Sequence, residues 1–100
     1  MEVVNDPRLE YFSLLFAVGW SPVEVAANTS AEQDLTVTGV KLGDVISVNK
    51  PTAQAGLGVV GVRVKSADLV SVTFGNFTAT PITPTASEAY SFLVARAKGN

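Results

Sequence analysis

The chain has 100 residues, of which 47% are hydrophobic and 16% charged, with a formal net charge of −2 and a pI near 4.9. A chain this long fits one domain that buries something over about 60% of its unfolded surface. Its seven basic residues are scattered, which argues against nucleic acid or an anionic membrane as partner. With no cysteine and no histidine it has no disulfide framework, no thiolate chemistry and none of the commonest zinc ligands. Abundant Val and Thr against sparse Leu favour strands over helices.

The first twenty residues differ in texture from the rest. Leu9, Tyr11, Phe12, Leu14, Leu15, Phe16, Val18 and Trp20 crowd into twelve positions. Asn5 or Asp6 as a cap, Pro7 in the first turn and Gly19 past the end suit a short helix, whereas the apolar positions fit neither helical nor strand period cleanly and leave a strand open. We therefore expect residues 1–20 to form an apolar arm or short helix, packed on its own domain or docked on a partner, and residues 21–100 to form the β-domain. The run is too short to span a bilayer and lacks the features of a secretory signal, so no targeting segment is expected.

From Ser21 onward the pattern is strand, turn, strand. Val23 and Val25 open a short strand, AANTSAEQD reads as a polar connection, and Leu35 and Val37 alternate with Thr36 and Thr38. Gly39 to Gly43 reads as a tight reversal into a strand from Asp44 to Asn49, giving an expected hairpin TVTGVKLGDVISV with Asp44 bonding amides near the turn. Ile46 and Val48 mark its inward face. Lys50 to Gly58 is long enough to cross between sheets.

The stretch Pro51 to Phe77 supports the sharpest expectation. Val60, Val62 and Val64 share one face of a strand while Arg63 and Lys65 share the other; Val70, Val72 and Phe74 oppose Ser71 and Thr73 in the same way. Pairing Lys65 with Leu69 across Ser66, Ala67 and Asp68 sets Val64 against Val70, Val62 against Val72 and Val60 against Phe74, with Asp68 in the left-handed region. Gly56, Gly58 and Gly61 are read as residues that let the strand bend, bulge or approach another backbone. TATPITPTAS suits an edge or loop, and a last strand runs near Glu88 to Ala97 with Tyr90, Phe92 and Val94 on one face. Six or seven short strands point to a small antiparallel β-sandwich or Greek-key barrel.

Nothing in the chain marks a catalytic site. The carboxylates are spread singly, and the nearest pair, Glu32 and Asp34, reads as a solvated strand face. QAGLGVVG is glycine-rich but lacks the lysine and following helix of a phosphate loop. The sequons at Asn28 and Asn76 are read as chance matches, and no cofactor or metal is expected.

Taken in order, the turn Gly39 to Asp44, the segment VNKPTAQAGLG, the hairpin VRVKSADLVSVTFGN and the ending ITPTASEAY resemble a family of small virion structural proteins of tailed bacteriophages. The resemblance spans roughly Ala26 to Arg96 and leaves the apolar stretch before Ser21 outside it. It implies a non-enzymatic decoration or cement protein, or a head-fibre module, on the capsid surface of the virion, with the major capsid protein as partner and a homo-oligomer, a trimer above all. The contact residues expected on this reading are Tyr11, Phe12, Phe16 and Trp20, with Arg63 and Lys65 meeting an acidic patch. An alternative is a receptor- or glycan-binding module of a head or tail fibre, with the PITPT loop as its site.

Overall fold

The computed structural model describes residues 8–98. They form six strands: β1 Leu9–Trp20, β2 Thr29–Thr36, β3 Val45–Asn49, β4 Leu57–Ser66, β5 Leu69–Asn76 and β6 Glu88–Ala97. Two antiparallel three-stranded sheets face each other, sheet I in the order β1-β6-β3 and sheet II in the order β2-β5-β4. The fold is an all-β sandwich.

The expected helix near the start is corrected: β1 is a strand, paired with β6 from Leu9↔Ala97 to Trp20↔Glu88. The capping residues Asn5, Asp6 and Pro7 on which the helix reading leaned lie outside the described residues. The alternation of β1 is strict, with Tyr11, Ser13, Leu15 and Ala17 turned inward and Phe12, Leu14, Phe16 and Val18 outward. It escapes the eye because both faces are apolar.

A second correction concerns TVTGVKLGDVISV. It is not a hairpin, because β2 pairs with β5 in sheet II while β3 pairs with β6 in sheet I. The polar stretch read as a connection contains most of β2, in which only every second residue faces the core. Residues 37–44 cross from one sheet to the other instead of reversing. The crossing is held by the tip of the β4–β5 hairpin: Val37 N–H donates to the Asp68 carbonyl, Asp68 N–H to the Val40 carbonyl, and Gly39 N–H to Asp68 Oδ1 at 2.8 Å. The short strand expected at Val23 and Val25 reduces to a bridge in which Val25 and Ile82 exchange backbone hydrogen bonds.

The central hairpin pairs Val64 with Val70 and Val62 with Val72 as expected, and Asp68 has a φ of 63°. Two details differ. The ladder closes at Ser66↔Leu69 with Lys65 as an extra residue, and Phe74 pairs with Val59 because Val60 is bulged out. The bulge shifts the parity of β4, so that Val59 turns inward with Val62 and Val64 and leaves Val60 exposed. Alternation cannot reveal this, since Val59 and Val60 are the same residue type. At Gly56, φ is +79° and an added Cβ would fall 2.1 Å from Thr78 Cγ2, so both backbone conformation and space demand glycine there.

The core lies between the sheets. Val70, Val72 and Phe74 of β5 meet Tyr90, Phe92 and Val94 of β6, all fully buried. Trp20, from the end of β1, lies edge-on to Tyr90 with ring centres 4.9 Å apart and 5.8 Å from Phe74, so one indole joins the two sheets. At the opposite end Arg96 of β6 forms a two-pronged ion pair with Asp44, at 2.7 and 2.9 Å, and its guanidinium also donates to the Gly39 carbonyl and lies 4.6 Å from the centre of the Tyr11 ring. Asp44 additionally accepts from the Lys41 amide, which fulfils the turn role expected of it.

Hydrogen bonding from Arg96 holds the Asp44 carboxyl below the ordinary aspartate range. Its contribution to stability is therefore complete above pH of about 4 and is lost as pH falls through the depressed native value. Thermal unfolding followed from about pH 6 to about pH 2 should show the wild-type midpoint falling with pH, and Asp44→Asn starting lower and falling less. Equal slopes would show that the pair contributes nothing. A second test concerns Tyr90, whose buried hydroxyl has no hydrogen-bond partner among the described residues and whose phenol is pushed up to about 12 by burial and by Glu88. Tyr90→Phe should raise the unfolding free energy by about 1 kcal/mol in urea melts, and a loss of stability would mean that the hydroxyl is satisfied.

Candidate interaction surface

The two sheets present outer faces of opposite chemistry. On sheet II, Glu32 and Asp34 of β2 reach across β5 to Arg63 and Lys65 of β4. Arg63 grips Glu32 through two hydrogen bonds of 2.7 and 2.9 Å, and Lys65 meets Asp34 at 2.8 Å. Ser71 of β5 is fully buried beneath these side chains and donates its hydroxyl to Asp34 at 2.5 Å. Arg63 holds the Glu32 carboxyl below its ordinary range, and Lys65 with Ser71 does the same for Asp34. Being exposed, these pairs add little stability, but they neutralise the face locally.

The outer face of sheet I carries no charge in its three central rows. Strand register aligns Phe12, Ala95 and Val45; then Leu14, Leu93 and Ser47; then Phe16, Ser91 and Asn49. Phe12 and Phe16 are each 61% exposed, Leu14 55% and Val45 73%, and Val18 extends the apolar row of β1 at 83%. A contiguous exposed apolar patch of this kind marks a surface that other molecules cover.

The six expected contact residues therefore divide. Phe12 and Phe16 sit together on the apolar face. Tyr11 and Trp20, on the same strand, turn inward, one beneath the Arg96 guanidinium and the other between Phe74 and Tyr90. Arg63 and Lys65 lie on the far side of the sandwich, bound to Glu32 and Asp34. Residues that sequence reasoning passed over as contacts are Leu14, Val18, Val45 and Leu93. The signal for Leu14 and Val18 was present, since they share parity with Phe12 and Phe16.

Other features offer little chemistry. An open groove of about 510 Å³ runs between Phe16 to Trp20 on β1 and Asp34 to Thr36 on β2. Its one ionisable group, Asp34, is engaged by Lys65 and Ser71. Glu88 is buried against Lys50 and accepts a hydrogen bond from the Thr52 hydroxyl, tying the β3–β4 connection to β6. No group of three or more acidic residues that could hold a metal occurs among the described residues. Asn76, within one of the sequons, is buried and its amide donates to the Val25 and Thr80 carbonyls, so it serves as a stitch between loops. No protein-family model, curated protein or solved structure compared with the chain matches it.

The division of β1 into an inner and an outer face has a direct consequence for stability. Phe12→Thr with Phe16→Thr should change the unfolding free energy by no more than about 1 kcal/mol. Trp20→Ala should cost about 3 kcal/mol. Urea denaturation of the two variants, repeated over a range of protein concentrations, checks this, and a comparable loss in both that does not vary with concentration would place the phenylalanines in the core.

Proposed function

We propose that the protein is a structural component of a phage virion, a decoration or cement protein that docks on the assembled head through the outer face of sheet I. The observation that carries this reading is the uncharged apolar face of Phe12, Leu14, Phe16, Val45 and Leu93, set opposite a face whose charges are paired among themselves. The resemblance of residues 26–96 to small virion proteins supplies the partner, the major capsid protein, and the location on the capsid surface. No catalytic step is part of this reading. The mechanism is linkage: a ligand that binds only the assembled shell stabilises it by mass action, and many copies act together. The face is attached to a rigid two-sheet core, so little ordering is needed when it docks.

A second reading has one observation in its favour. Phe77, 71% exposed, lies at the start of the loop that contains PITPT, its ring resting against Gly75. An exposed aromatic beside a proline-bearing loop suits a receptor- or glycan-binding module of a head or tail fibre.

Cosedimentation with empty mature heads of the parent phage separates the two. Decoration requires saturable, stoichiometric binding that Phe12→Thr with Phe16→Thr weakens at least tenfold and Phe77→Ala leaves unchanged. Absence of head binding together with binding to host cells that Phe77→Ala abolishes would transfer the assignment to a fibre.

A further inference from the structure

We propose that two copies of this chain pair edge to edge through β1, antiparallel, about a twofold axis beside Leu14. The partner is a second copy of the chain, and the inference does not depend on what the apolar face of sheet I binds.

The four sheet edges are β1 and β3 in sheet I, β2 and β4 in sheet II. Proteins keep exposed edges from pairing by making them short or by placing charges or proline on them. Edge β3 is five residues long and runs into Lys50 and Pro51. Edge β2 displays Glu32 and Asp34, and β4 displays Arg63 and Lys65. Edge β1 is twelve residues long and carries no charge or proline from Tyr11 to Trp20. It is the one edge among the described strands without such protection.

A twofold interface must also be complementary to itself. The outward row of β1 reads Phe12, Leu14, Phe16, which is the same in either direction. Antiparallel pairing centred on Leu14 sets Phe12 against the second copy's Phe16, Leu14 against its own counterpart, and Glu10 against Val18 rather than another acid. The centre is independently marked by the backbone. The stretch of β1 that pairs regularly with β6 runs from Tyr11 to Ala17, bounded by register shifts on both sides, and Leu14 is its midpoint. Pairing about Leu14 thus uses every regular residue and leaves Gly19, at φ +78°, outside the new ladder.

Edge pairing covers the flanks of Phe12, Leu14, Phe16 and Val18 and leaves their outer surface exposed on the face, so the pairing rests on the side-by-side contact of these rows more than on area. Aromatic cross-strand pairs and a new set of backbone hydrogen bonds add to this. Directly opposed residues of an antiparallel pair lie on the same face, so the product is a six-stranded sheet, β3-β6-β1 followed by its symmetry mate, with both apolar faces on one side. Pairing is twofold here, in place of the threefold assembly implied by the resemblance.

Because the natural chain contains no cysteine, single cysteines report the register cleanly. Under mild oxidation Leu14→Cys should cross-link to a covalent dimer. Phe12→Cys and Phe16→Cys should each stay uncrosslinked alone, since like positions would lie about 13 Å apart, beyond disulfide reach. Mixed, those two variants should cross-link to each other. Analytical ultracentrifugation of the unaltered chain should show a dimer. Leu14→Lys and Leu14→Glu should each raise its dissociation constant at least tenfold while retaining the wild-type circular dichroism spectrum, and an equimolar mixture should restore it. A monomeric or trimeric unaltered chain, or cross-linking of Phe12→Cys with itself as readily as with Phe16→Cys, overturns the proposal.

Discussion

Sheet I depends on a strand that arrives last. β6 is its centre, hydrogen-bonded to β1 on one side and β3 on the other, and neither neighbour precedes it closely in sequence. The side chains that close the core from this layer, Tyr90, Phe92 and Val94, and the guanidinium that secures the 37–44 crossing, Arg96, all come from this strand. Sheet II is different, because β4 and β5 form a local hairpin that can pair as soon as it is made. The fold therefore combines one local nucleus with a layer whose every pairing is long-range, an arrangement that slows folding at a given stability because loop closure precedes the reward of contact.

The Arg96–Asp44 pair illustrates how this topology is kept unique. Two aliphatic residues in its place would bury as well, but they would not fix which backbone approaches which. The forked guanidinium reads a carboxylate on the crossing, a carbonyl at Gly39 and an aromatic face on β1 at once. Asp68 does the corresponding work from the hairpin tip. Polar groups thus specify the path of the chain, while the apolar groups between the sheets provide most of the driving force.

Legibility in the sequence followed the chemistry of the faces. Where one face is apolar and the other polar, as in Val70, Val72 and Phe74 against Ser71 and Thr73, alternation gave strand and inward residues together; in β6 the aromatic Tyr90 and Phe92 on either side of Ser91 marked the inward face, although Ala89, Leu93 and Ala95 outside are apolar as well. Where both faces are apolar, as in β1, alternation carries no information, and the strand is visible only once β6 is beside it. Where outward positions carry charge and the inward ones are small or amide-bearing, as with Ala31 and Gln33 in β2, the segment looks like a loop; Gln33 in fact bonds both the N–H and the carbonyl of Val23. The crossing at residues 37–44 was illegible for another reason. Its glycines and Asp44 suit a reversal as well as a passage between layers, and partner choice is decided by residues far along the chain. The uncharged face of sheet I was half legible, through Phe12 and Phe16, because parity could not be assigned to Tyr11 and Trp20 without the strand.

The pairing of Leu9 with Ala97 brings the first and last described strands to the same corner of the molecule, where the Lys98 N–H still reaches the Arg8 carbonyl. Tension applied between Leu9 and Ala97 would load the β1–β6 ladder one rung at a time from that corner, the geometry in which a sheet opens like a zipper and resists least. Tension that enters through an outer face and leaves through another part of the sandwich would instead load many rungs in parallel. A sandwich built this way resists force through its faces better than force at the Leu9–Ala97 corner.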